Sequence, residues 1–265
     1  MQRGEAQWRW AQALADWAIP DAILERAPES PWGFPPSLFR ANHADEELAD
    51  SPSTLRALEA LPQRGAVLDV GVGGGAGSFP LAAKAACITG VDQSETMLES
   101  FSAAAAAAGV EQHAVVGEWP QVAAEAGTAD VVICHHVFYN VSDLVPFAGA
   151  LTSAARRRVV VEMTATHPAS MLNELWLHFH GLERPTGPNY EDALSVLREL
   201  DLDVEVERWK RLPRRMHADR RDHVAFVRRR LCLTEDRDAE IDELMGATPV
   251  WSPTEVATLW WSGKA

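Results

Sequence analysis

The chain has 265 residues, 47% hydrophobic and 23% charged, enough for one large globular domain with additions and short for two. Its formal net charge is −14, from 38 acidic against 24 basic residues, so it lacks the basic footprint that nucleic acid or an anionic membrane surface demands. No apolar run reaches the ~18 residues needed to cross a bilayer, and MQRGEAQWRWAQALADW holds no apolar leader core. A cytoplasmic monomer or homodimer is expected.

Residues 1–61 read as a helical, aromatic extension. Trp8, Trp10, Leu14 and Trp17 fall near helical spacing, ESPWGFPPSLF breaks the pattern, and Ser51-Pro52 opens a further helix. The extension's tryptophans suit either core or pocket. From Ala66 strands and helices alternate: AVLDV, a helix in GSFPLAAKAA, CITGVD, a helix from Ser94, HAVVG, ADVVIC, the helix DLVPFAGALTSAA, and RRRVVVEM. Strands written as unbroken apolar runs between helices predict a parallel sheet covered on both faces. Residues 164–189 interrupt the rhythm with aromatics and histidines and read as a lid-like insertion into a domain spanning 62–265. After the helix YEDALSVLREL, DVEVERW and HVAFVRRRL read as two antiparallel strands. TEDRDAEIDELM and a helix opened by Ser252-Pro253-Thr254-Glu255 close the chain. The arginine-rich stretches Arg208–Arg215 and Arg228–Arg230 are flanked by acids and read as solvated strand ends. Cys87, Cys134 and Cys232 sit apart in apolar contexts without metal spacing, as reduced thiols do.

The chemistry gathers after the first strand. Asp69, Gly71, Gly73 and Gly75 are spaced D-x-G-x-G-x-G, a turn that lets a ligand lie on bare backbone at the carboxyl edge of a sheet. Asp92, ending the second strand, can take both hydroxyls of a ribose. These two features alone suit a nicotinamide dinucleotide equally well. Three details separate the readings. Asp69 places a carboxylate where an ammonium-bearing ligand would need one; Met97 can pack on an adenine face; and Glu118 with Trp119 ends the third strand with an acid and an aromatic.

In VLDVGVGGG, VDQSETML, GEW and ADVVICHHVFYNVSDL the chain resembles class I S-adenosylmethionine-dependent methyltransferases at their motifs I to IV, over about residues 55–165 and more loosely beyond. The resemblance implies a Rossmann-like seven-stranded α/β sheet of order 3-2-1-4-5-7-6 with strand 7 antiparallel. It implies S-adenosyl-L-methionine as cofactor and S-adenosylhomocysteine as product. Asp69 and the glycines would hold the methionyl part, Asp92 the ribose, and Met97, Glu118 and Trp119 the adenine, with Gln93 also among the cofactor-binding residues. His135 would lie beside the cofactor, facing the substrate. Glu118 departs from the more familiar Asp.

Candidates for the reaction itself follow the fourth strand. His136 is the expected base or substrate orienter, with His135 and Tyr139 beside it, although one of the two histidines could make only cofactor or backbone contacts. In several small-molecule O-methyltransferases a His near the position of Tyr139 is the base; tyrosine's pKa of ~10 blocks carrying that role over. His167, Trp176, His178 and His180 are candidate substrate-lining residues of the lid. His178 and His180 beside Glu174 also resemble a metal pair, but helical H-x-H spacing turns the rings apart, so no metal is expected. The leading reading is methylation of O or N on a small molecule, apolar or aromatic to suit the roof. A protein or RNA methyltransferase and a cofactor-binding module without catalysis remain the alternatives.

Overall fold

A computed structural model describes residues 4–32, 49–211, 219–246 and 255–264. Helix α1 (Glu5–Ala15) and the short α2 (Asp21–Leu24) form the extension. Helix α3 (Pro52–Ala60) starts where Ser51 accepts from the Thr54 N–H and Pro52 fills the first turn. Strand β1 (Gly65–Val70) leads through the glycine-rich turn to β2 (Ala85–Asp92). Then come α4 (Glu95–Ala108), capped by Ser94 and ended by left-handed Gly109, and β3 (Glu111–Val116). The short α5 (Ala123–Ala126) precedes β4 (Ala129–His135), α6 (Leu144–Ala154) and β5 (Ala155–Thr164). Helix α7 (Asn173–His180) lies in the insertion, and α8 (Tyr190–Glu199) starts at a capping box between Asn189 and Asp192. Strand β6 (Glu205–Lys210), α9 (Arg220–Arg230), α10 (Asp238–Met245) and β7 (Glu255–Ser262) complete the order.

The seven strands run β3-β2-β1-β4-β5-β7-β6, with β7 antiparallel to both neighbours. One face packs α3 and α4 through Ala57, Leu98 and Phe101; the other packs α1, α6 and α8 through Trp10, Phe147 and Leu197.

Three local expectations change. HVAFVRRRL is helix α9, because Val224, Val227 and Leu231 fall on one helical face, which is buried. Strand 7 is instead Glu255–Ser262, where a closing helix was expected; its β-branched and aromatic residues are buried on both faces, as a strand between two others must be. The capping residues Ser252, Pro253 and Thr254 lie outside the described residues. Finally, GSFPLAAKAA holds only a single turn at Phe79–Leu81, since β2 already begins at Ala85 and leaves no length for an α-helix.

Helices α7, α9 and α10 build a third core of their own around Leu175, Trp176, Phe226, Val227, Leu231 and Ile241. The extension joins it through Ile19. The extension also grips the sheet domain: Glu199 accepts from the Gly4 and Ala6 N–H groups, and Trp10 Nε1 donates to Val141 O at 2.7 Å. No described helix is long and apolar enough to cross a membrane.

Candidate functional site

The carboxyl ends of β1 and β2 carry the first half of the site. Gly71, Gly73 and Gly75 all have left-handed φ values of 77°, 52° and 88°, which side chains rarely adopt. A Cβ on Gly71 would strike Val137 and one on Gly75 the ring of Phe79, whereas Gly73 faces open space. Asp92 ties this turn down, accepting at Oδ2 from Gly73 N and at Oδ1 from Ser94 N, both at 2.9 Å. Each oxygen keeps accepting capacity for a ligand hydroxyl. Gln93 is exposed beside it and Met97 half-buried.

Asp69 lies beneath the turn, 2% exposed. Burial pushes its carboxyl up to about 7, against a hydrogen bond from Ser78, with the charge of Asp92 adding to the rise. His135 ends β4 with its Nδ1 close against Gly77. Burial pushes this imidazole down to about 4, and its Nε2 is buried without a partner.

The second half lies one step along the edge, between β4 and β5. His136 takes a left-handed φ of 60° and its N–H donates to Glu162 O. For a residue with a side chain that conformation costs on the order of 1–3 kcal/mol and recurs where geometry is functional. Its Nε2 stands 2.9 Å from Glu162 Oε1. The same Nε2 stands 3.2 Å from Arg211 Nη1, so the ring lies between an acceptor and a permanent donor. Glu162 is 1% exposed and also takes Ser53 Oγ at 2.6 Å and the Arg211 guanidinium. Burial alone would raise this carboxyl; the His136 hydrogen bond and the neighbouring positive charges instead hold it well below the usual range.

Sequence reasoning missed Glu162 and Arg211. The acid stands in the apolar run VVVEMT, and that break in pattern was the available signal. Arg211 was read among solvated strand ends, yet its side chain is 10% exposed.

The other expected site residues lie apart from this pair or inside the core. Tyr139 is buried, its hydroxyl binds the backbone and Oγ1 of Thr164, and burial pushes the phenol far above its ordinary value. Trp119 lies in the sheet core with Nε1 donating to Phe147 O, and Glu118 is exposed. His178 Nε2 meets Glu240 and His180 Nε2 meets Leu231 O, so both rings serve the helical cap. Trp176 is core of that cap. His167 alone of that group reaches the β4 loop. Its ring stacks on Trp17 at 4.1 Å and meets Tyr139 edge-on at 5.2 Å. Burial and the Arg184 charge push it down to about 4. Among the described residues no cluster of His, Cys, Asp and Glu could hold a metal ion.

Residues 67–158 match a family model described as a methyltransferase domain. Over those residues the chain is similar to methyltransferase domains. The ubiquinone biosynthesis O-methyltransferase of Rhizobium rhizogenes is 37% identical over 117 residues, which are 43% of this chain and 44% of that protein. The match therefore spans less than half the length of this curated relative. A putative methyltransferase of Bacillus halodurans superposes with a TM-score of 0.56 at 14% identity, over 83% of this chain and 100% of that one. Magnesium protoporphyrin IX methyltransferase of Synechocystis with bound S-adenosylhomocysteine gives 0.52 at 17%, over 92% and 94%. At such identities the structures establish the fold alone; the segment that matches the family model holds both halves of the site except Glu162, Arg211 and Ser53.

Proposed function

We propose that this chain transfers a methyl group from S-adenosylmethionine to a hydroxyl oxygen of a small molecule. The observation that carries the reading is His136 held by buried Glu162 at the strand edge next to the glycine-rich turn. The residues at that turn fit the cofactor: open space at Gly73, a buried carboxylate at Asp69, the Asp92 carboxylate, and an unpartnered buried nitrogen on His135. Asp69 would answer its ammonium group, Asp92 its ribose, and Met97 its adenine.

The cofactor, when bound, supplies a methyl group on a sulfonium, an activated carbon with a good leaving group. What the chain must then add is position, dryness and a place for the hydroxyl proton. In this reading Glu162 takes the Nε2 proton of His136, leaving Nδ1 to accept that of the hydroxyl, and the imidazolium so formed stands 2.9 Å from the carboxylate. Trp17, His167 and Tyr139 pack ring against ring after β4, surroundings that suit an apolar or aromatic acceptor. The name of the Rhizobium relative, an O-methyltransferase, supports oxygen as the acceptor atom.

The test is incubation of the chain with S-adenosylmethionine and a panel of hydroxylated aromatic compounds, read by mass spectrometry. A product heavier by one methyl group, formed by the wild type and not by His136→Gln, is expected. Product formation undiminished in His136→Gln would remove the base role. Binding of S-adenosylhomocysteine without methylation of any acceptor would favour the binding-module alternative.

A further inference from the structure

The carboxylate that orients His136 is shared. Oε1 of Glu162 receives both His136 Nε2, at 2.9 Å, and the Arg211 guanidinium, while Oε2 receives Ser53 Oγ at 2.6 Å. Ser53 is in turn bonded to Thr258 Oγ1 at 2.7 Å, and Thr258 takes Trp209 Nε1 at 3.0 Å. Three of the roughly four accepting positions of this buried carboxylate are therefore taken. The guanidinium stands at the exit of β6, 5.3 Å from the Trp209 ring, with Nη1 3.2 Å from His136 Nε2. That contact is a hydrogen bond only where Nε2 is the acceptor, and the guanidinium charge so close to the ring opposes a second proton on it.

This arrangement has a consequence for the proton on His136. A buried carboxylate paired with one imidazole favours the imidazolium, because two opposite charges side by side are better in a poorly hydrated site than one charge alone. An imidazolium cannot accept a substrate proton. A permanent cation on the same oxygen removes that bias: the carboxylate is already neutralised, and a second positive charge beside the guanidinium is opposed. Of the other titratable groups that interact with Glu162, His135 of β4 stays neutral because burial pushes it down to about 4, and Tyr139 because burial pushes its phenol up.

We infer that Arg211 is a positioning residue that keeps His136 unprotonated, and so competent as a base, by occupying the oxygen of Glu162 that His136 also uses. The inference rests on the base role proposed above. It assigns a function to a residue that lies outside the segment matching the methyltransferase family and touches neither turn nor cofactor site.

The test is a pH titration of the imidazole resonances of the full chain by nuclear magnetic resonance, with the His136 signal assigned by its loss in His136→Gln. In Arg211→Gln and Arg211→Met the midpoint of His136 should rise by about one pH unit or more, the usual effect of one close charge. Arg211→Lys, which keeps the charge, should stay near the wild type. A midpoint unmoved in Arg211→Gln and Arg211→Met, with far-ultraviolet circular dichroism unchanged, overturns the inference. So does failure of both variants to fold, since Arg211 would then be a structural residue. Calorimetry with S-adenosylhomocysteine on the same wild-type sample keeps the two claims apart. Its failure would count against the methyltransferase reading, while the imidazole titration would still decide the role of Arg211.

Discussion

The two halves of the site are built in opposite ways. At the β1–β2 edge the machinery is mostly backbone: left-handed glycines, amide groups turned onto Asp92, and acids within about twenty residues of one another. At the β4–β5 edge it is side chains brought from α3, β4, β5, the exit of β6 and β7 around one buried carboxylate. A backbone site is written locally and tolerates much around it. A side-chain cluster is written across more than two hundred residues, and any member can fail alone.

That contrast sets the predicted effects, the largest first. His136→Gln should lower the methyl-transfer rate by on the order of 10²–10⁴ and leave S-adenosylhomocysteine affinity unchanged, measured by single-turnover kinetics and calorimetry. If affinity fell in step with rate, the two halves would not be separable. Glu162→Gln strips the partner from buried Arg211 and should cost ~3–5 kcal/mol of stability in denaturant unfolding at pH 7. The Glu162 carboxyl lies below its ordinary value when folded, so this contribution is present above about pH 4.5 and fades as pH falls below that. The variant should accordingly approach the wild type in acid.

Asp69→Asn sharpens the comparison from the other side. The folded Asp69 carboxyl lies near 7 against 3.8 in the unfolded chain, so ionisation destabilises the native state increasingly as pH rises between those values. Replacing it should raise the melting temperature by several degrees at pH 8, have little effect at pH 4, and weaken ligand binding. A melting temperature unchanged at pH 8 would mean that the acid is better solvated than its position suggests. Tyr139→Phe is the smallest change. It loses hydrogen bonds to Thr164 and about 1–2 kcal/mol of stability, with the pH dependence of the rate unmoved.

Legibility from sequence followed the same division. The turn Asp69–Gly75 and Asp92 could be read because each is a short pattern with its own physical reason, whereas the seven-strand order came with the resemblance those motifs carry. Glu162 could not be assigned a role, because an acid inside VVVEMT gains its meaning only from Ser53, His136 and Arg211, 109, 26 and 49 residues away in the chain. Arg211 was hidden by its neighbours, since a run of arginines reads as solvent-facing. The mistaken strand at 223–231 and helix at 255–262 have one cause. Short apolar runs carry both periods weakly, and burial in the cap or between β5 and β6 decided them.

The most direct measurement is calorimetric titration of the wild type, Asp92→Ala and His136→Gln with S-adenosylhomocysteine. The account predicts micromolar binding by the wild type, the same by His136→Gln, and a loss of about a hundredfold or more in Asp92→Ala, where both the ribose contact and the tie to Gly73 are gone. No binding by the wild type, or equal binding by Asp92→Ala, would contradict it.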